Sequence, residues 1–130
     1  MQKTLPATLS AFSPAKINLF LHVTGRREDG YHLLQSVFCP ITLGDQVLLS
    51  ITPSETGQLE IARTGDLIHI PEAVDLTVRA CRAFYANANV EQSPRITIEV
   101  SKYTPEQAGL GGGSSNAATV LRLLQMHHGH

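Results

Sequence analysis

Four glycines fall within five residues, at Gly109, Gly111, Gly112 and Gly113, inside the run AGLGGGSSNAA over 108–118. Nothing else in the 130 residues constrains the fold as strongly. The run follows RITIEV (95–100), where Ile96, Ile98 and Val100 alternate with polar residues as on a half-buried strand. It precedes NAATVLRLLQ (116–125), where Ala117, Val120, Leu121 and Leu124 recur at helical spacing. Strand, glycine bend and helix start, in that order, bring bare backbone to the positive end of a helix. Glycine tolerates positive φ and close approach of a ligand to the main chain. The first helical turn leaves its N–H groups unpaired and adds the dipole. Such a cradle suits a di- or triphosphate. Ser114 and Ser115 add hydroxyls at its mouth, for a phosphate oxygen or a phosphate-bound Mg²⁺. A serine here is also an ordinary helix cap; the strand before and the helix after favour phosphate. A Walker loop is excluded because serine follows Gly113 where GxxxxGK[ST] needs lysine. The dinucleotide fingerprint and the GxSxG nucleophile elbow are not matched either.

The rest of the chain reads mostly as strands. AKINLFLHV (15–23) alternates strictly, with Ile17, Leu19, Leu21 and Val23 on one face and Lys16, Asn18, Phe20 and His22 on the other. The turn cluster GRREDG (25–30) leads to a second strand over 32–39, closed by Pro40. Short strands are expected at Gln46–Ile51 and Leu59–Ala62, with a weaker one at Leu67–Ile70. Pro71 opens a helix whose apolar face is Ala73, Leu76, Ala80, Ala83 and Phe84. Strands first, then helix, strand, glycine loop and helix, predict one α+β domain with a mixed or antiparallel sheet rather than a regular βαβ alternation.

Ten Lys+Arg against eleven Asp+Glu exclude a binder of nucleic acid held by bulk positive charge. The apolar runs are too short to span a bilayer. Cys39 and Cys81 lack zinc spacing and read as two buried free thiols. The first residues carry no signal-peptide pattern, so a cytoplasmic protein is expected. His127, His128 and His130 read as a frayed tail rather than a metal site, and no protein-held metal is expected.

PEQAGLGGGSSNAA (105–118) resembles the phosphate-binding motif of the GHMP kinases, the galactose, homoserine, mevalonate and phosphomevalonate kinases and their relatives. SPAKINLFLHVTGRREDGYHLLQSVF (13–38) and GDQVLL (44–49) are similar to blocks of one branch of that family. That branch acts on 4-diphosphocytidyl-2-C-methyl-D-erythritol. The resemblance runs from about Ser13 to Leu124. It implies a domain like the second domain of ribosomal protein S5, with ATP under the glycine loop. It implies that ATP, with Mg²⁺, phosphorylates the 2-hydroxyl of that substrate on the non-mevalonate route to isoprenoid precursors.

Residue by residue, Lys16 matches the family's active-site lysine; an ammonium beside the acceptor hydroxyl would stabilise charge in the transition state. Asn18 matches a substrate-contacting position, and Tyr31 and His32 the cytidine-binding pair. Pro105, Glu106, Gln107, Ala108, Gly109, Leu110, Gly111, Gly112, Gly113, Ser114 and Ser115 match the ATP-phosphate segment, and Lys102 a lysine near the nucleotide. Two positions depart. Asp75 stands where the family commonly has an asparagine near adenine, and an ionised carboxylate only accepts hydrogen bonds. Glu106 puts a negative side chain where small residues are usual.

Asp29, Asp45, Asp66 and Asp75 match none of the family's catalytic roles, and the Gly-Ala-Asp-Val-Pro block with the catalytic aspartate lies outside these residues. The expectation is therefore an N-terminal, ATP-binding domain without its C-terminal partner, inactive alone, in which Leu121, Leu123 and Leu124 lack packing. Alternatives are a nucleotide-binding piece without catalysis and another small-molecule kinase of the family.

Overall fold

A computed structural model describes residues 6–26, 28, 32–104 and 112–129, and the backbone alone for 17–24, 26, 32–38 and 112. In chain order the elements are β1 (Ala7–Arg26), β2 (His32–Pro53), β3 (Glu60–Gly65), a 3₁₀ turn (Glu72–Val74), α1 (Leu76–Asn87), β4 (Pro94–Ser101) and α2 (Gly112–His128). The strands form one mixed sheet ordered β1-β2-β4-β3. β1–β2 and β2–β4 are antiparallel, while β3–β4 is parallel. A parallel pair needs a long crossover, and α1 supplies it. The α+β class with a mixed sheet is the one expected.

The core follows from alternation. Val47 pairs with Val100, Leu49 with Ile98 and Ile51 with Ile96, and each is at most 1% exposed. Residues two apart share a face, so these six form one apolar surface. Val78 and Cys81 of α1 and Val120, Leu123 and Leu124 of α2 cover it. The result is two layers, helices on one face of a sheet. Burial pushes the Cys81 thiol up to about 12, against a small opposing effect of Arg82, so it packs rather than reacts. Cys39 is also a free thiol but only half-buried, against the expectation.

Several expectations need correction. The strands over 32–39 and Gln46–Ile51 are one strand, and Pro40 does not close it. Pro40 pairs with Lys16, and β4 reaches β2 only from Gln46 onward. A residue with one neighbouring strand can turn its missing N–H to the open side. β1 likewise begins at Ala7, not at residue 15. Leu67–Ile70 is a turn, not a strand. Gly65 (φ +88°) bends the chain, and Arg63 Nη1 donates to the carbonyls of Leu67 at 3.1 Å and Ile70 at 2.6 Å. Pro71 precedes a single 3₁₀ turn, and α1 starts only after Asp75. α1 buries Thr77, Val78 and Cys81 and packs Ala80 and Phe84 of the expected face against the core, while Leu76 is left 40% exposed.

α2 is longer than expected. It buries Leu123 and Leu124, whereas Leu121 is 39% exposed. His127 and His128 do not fray: they form its last turn, and His128 Nε2 lies 2.7 Å from the Tyr85 hydroxyl, while His130 lies outside the described residues. Among the described residues no helix is long and apolar enough to cross a membrane.

Candidate active site

The two ends of the glycine segment arrive at the same end of the sheet. Its N-terminal end is held by Asp45, a fully buried residue of β2. Asp45 Oδ2 accepts from Lys102 Nζ at 2.7 Å, and Oδ1 accepts from the N–H groups of Tyr103 at 2.8 Å and Thr104 at 2.9 Å. Its C-terminal end is held by Ser13 of β1, also buried. The Ser13 hydroxyl donates to Asn116 Oδ1 at 2.7 Å and is shared with Ser115 Oγ at 3.0 Å. Ser115 accepts in that contact, so its own hydrogen is directed elsewhere. Two buried polar atoms have no partner among the described residues: Thr104 Oγ1 and Asn116 Nδ2, one at each end of the segment.

The start of α2 carries no acidic residue in its first turn. Ser114 is exposed and Ser115 half-buried. A Cβ added at Gly113 would meet Leu76 Cδ1 at 3.5 Å, an ordinary contact. Packing against the described residues does not demand glycine there; close approach of a ligand to the backbone would. The same contact sets the start of α1 beside the start of α2. Three residues beyond Ser13 on β1 is Lys16, half-buried, just past a register shift between Pro14 and Lys16. Such irregularities re-aim side chains and cluster near active sites.

A strand bearing a lysine is thus bonded to a serine-rich helix start that follows a glycine segment. Residues 75–130 match the family described as the GHMP kinases N terminal domain. The fold is that of a GHMP kinase N-terminal domain. It is 46% identical over 112 residues, 86% of its length, to a protein of Alkalilimnicola ehrlichii, and 45% identical over 124 residues, 95% of its length, to one of Burkholderia mallei. Both relatives are named 4-diphosphocytidyl-2-C-methyl-D-erythritol kinase. A solved structure of 4-(cytidine 5'-diphospho)-2C-methyl-D-erythritol kinase matches 91% of the chain at 37% identity and a TM-score of 0.73, over 40% of its own length. The chain spans 36% to 40% of the curated relatives.

In this domain the sequence assignments fare unequally. Gly113, Ser114 and Ser115 lie at the helix start, and Lys16 lies on β1 three residues beyond Ser13, which bonds to that start. Lys102 is not a solvated charge; it is bonded to Asp45. Asn18 and His32 are described by backbone alone, on the part of the β1–β2 hairpin beyond β4, where Asn18 pairs with Phe38 and His32 with Arg26. Gly112 opens α2, its side described by backbone alone. Tyr31, Pro105, Glu106, Gln107, Ala108, Gly109, Leu110 and Gly111 lie outside the described residues.

Asp75 engages both its oxygens within the fold. Oδ1 accepts from the Thr77 N–H at 2.9 Å and the Thr77 hydroxyl at 2.7 Å, capping α1, while Oδ2 accepts from Arg63 Nη1 at 2.9 Å. Removing it strips a cap and leaves a nearly buried guanidinium without its carboxylate. Asp75→Ala should cost about 3–5 kcal/mol. Asp75→Asn keeps an acceptor for the Thr77 N–H and should cost less than half as much. Urea denaturation of the two variants checks the order.

Ser13, Asp45, Thr104 and Asn116 escaped the sequence reading. The signal available was GDQVLL, whose aspartate follows a glycine and precedes an alternating strand. Burial alone would raise the Asp45 pKa. The hydrogen bond from Lys102, those from the Tyr103 and Thr104 N–H groups and the Lys102 charge outweigh it, holding the carboxyl below its ordinary 3.8. A depressed folded pKa stabilises the fold above the unfolded value, in full from about pH 5 upward, and that contribution is lost as pH falls through the lower folded value. Asp45→Asn should therefore flatten the loss of stability below about pH 4. Denaturation midpoints measured between acid and neutral pH read this directly.

Proposed function

We propose that the whole protein is an ATP-dependent kinase that phosphorylates the 2-hydroxyl of 4-diphosphocytidyl-2-C-methyl-D-erythritol, and that this domain supplies the nucleotide cradle and the acceptor-side lysine. The observation that carries the reading is the Ser13 contact with Ser115 and Asn116, which ties the strand bearing Lys16 to the start of α2. Sequence likeness to two proteins named for that reaction supports the substrate.

The N–H groups of the first α2 turn face the phosphates, as unpaired helix-start donors do. Ser114 and Ser115 hold phosphate oxygens or the Mg²⁺ that travels with them; that ion neutralises phosphate charge when bound. The orphaned Thr104 Oγ1 and Asn116 Nδ2 fit a polar ligand at this segment. Segment 105–111 lines the nucleotide, and Lys102 sets its beginning. Asp75 serves the adenine side by fixing the start of α1 rather than by its carboxylate, which is already engaged. Lys16 places an ammonium where charge develops on the acceptor oxygen; transfer of a phosphoryl group is chiefly positioning and electrostatics. Asn18 binds the alcohol part of the substrate. Tyr31 and His32 take the cytosine.

ADP release by the full-length gene product tests the reading. Release with the diphosphocytidyl alcohol supports it; release only with another small alcohol overturns the substrate. Tyr31→Ala should raise the KM for the diphosphocytidyl substrate about tenfold, the value of one lost base stack, and leave the KM for ATP within about twofold. Equal shifts in both would remove Tyr31 from the cytidine subsite.

A further inference from the structure

The helix-facing side of the β1–β2 ladder changes character along its length. Leu9 pairs with Leu49 and Ala11 with Val47, both apolar and packed in or against the core. The next pair on the same face is Ser13 with Asp45. It is polar, yet both residues are at most 1% exposed. Burying an ionised carboxylate and a hydroxyl side by side is costly unless each is fully bonded. Each bonds away from its own strand: Asp45 to residues 102–104, and Ser13 to residues 115 and 116. One cross-strand pair therefore grips the residues on either side of the glycine segment.

We infer that Ser13 and Asp45 are positioning residues for nucleotide binding, fixing against the sheet the residues on either side of the glycine segment, 102–104 and 115–116. The inference rests on the reading of that segment as the ATP site. Neither residue touches substrate. Each acts through others, Asp45 through Lys102 and the N–H groups of Tyr103 and Thr104, Ser13 through Ser115 and Asn116. Gly44 belongs to the same device. A Cβ there would stand 2.3 Å from the Ser13 carbonyl oxygen, so β2 approaches β1 closely just where the pair forms. Holding a loop in its binding shape lowers the ordering cost of the ligand.

The experiment uses the full-length gene product and the variants Ser13→Ala and Asp45→Asn. Ser13→Ala removes one oxygen. Asp45→Asn keeps an acceptor for the two N–H groups and drops only the charge that holds Lys102. Calorimetry with ATP·Mg²⁺ gives the Kd, steady-state kinetics gives the KM for ATP and for the alcohol, and thermal melting gives stability. Each variant should weaken ATP about tenfold, the scale of one or two lost hydrogen bonds, with the alcohol KM within about twofold. The double variant should weaken ATP by less than the product of the singles, because both act on one segment. Lower melting temperatures with an unchanged ATP Kd would make the pair merely structural and overturn the inference alone. A wild type that binds no nucleotide would overturn both this inference and the ATP site beneath it.

Discussion

Gly44→Ala should destabilise the domain by about 3 kcal/mol, at the top of the usual range for overpacking. The added Cβ would lie 2.3 Å from the Ser13 oxygen, 2.7 Å from Phe12 Cζ and 2.8 Å from Pro14 Cα. Phe12 is exposed and its ring can swing away. The other two atoms are backbone, and they move only if β1 and β2 separate at the Pro14–Gly44 pair. Gly57→Ala is the control: its φ is +77°, but a Cβ there meets nothing within 4 Å. It should cost only about 1–2 kcal/mol, the penalty of a left-handed backbone for a residue with a side chain. Urea midpoints for the two variants decide. Equal losses would show that contact between the strands is not what requires glycine at 44.

Lys16→Ala should lower kcat of the full-length enzyme about 10²–10³-fold, the usual effect of deleting a group that stabilises developing charge. Its KM for ATP should stay within about twofold, because the proposed phosphate cradle is the start of α2 and not β1. Such a loss, in kcat and in kcat/KM alike, marks an interaction made in the transition state. A variant that loses ATP affinity while keeping kcat would move Lys16 from the acceptor side to the nucleotide side.

Local pattern carried the architecture and missed the connections. RITIEV and QVLLSI alternate cleanly because each is a half-buried strand, and such alternation is visible in a few consecutive letters. The strand before the glycine segment and the helix after it were legible for the same reason: each is a run of neighbours in sequence. The start of α1 was misplaced because a 3₁₀ turn precedes it and Asp75, not Pro71, caps it; Ala80 and Phe84 of the expected face pack on the core, while Ala73 and Leu76 at the misplaced start do not. Leu67–Ile70 looked extended because its hydrophobicity gives no hint that Arg63 binds its carbonyls. The bonds made by Ser13 and Asp45 were invisible to any window. Their partners lie 57 to 103 residues away, and only the folded sheet brings them together.

That separation has a kinetic consequence. The Ser13–Asn116 bond closes a span of 103 residues, while the β1–β2 hairpin forms across a short connection. Closing a long span costs chain entropy before it returns any contact, so such links form slowly and late. The proposed nucleotide cradle should be among the last parts of the domain to mature during refolding. A fluorescent nucleotide added to refolding protein would then report completion, its signal lagging behind the growth of sheet structure.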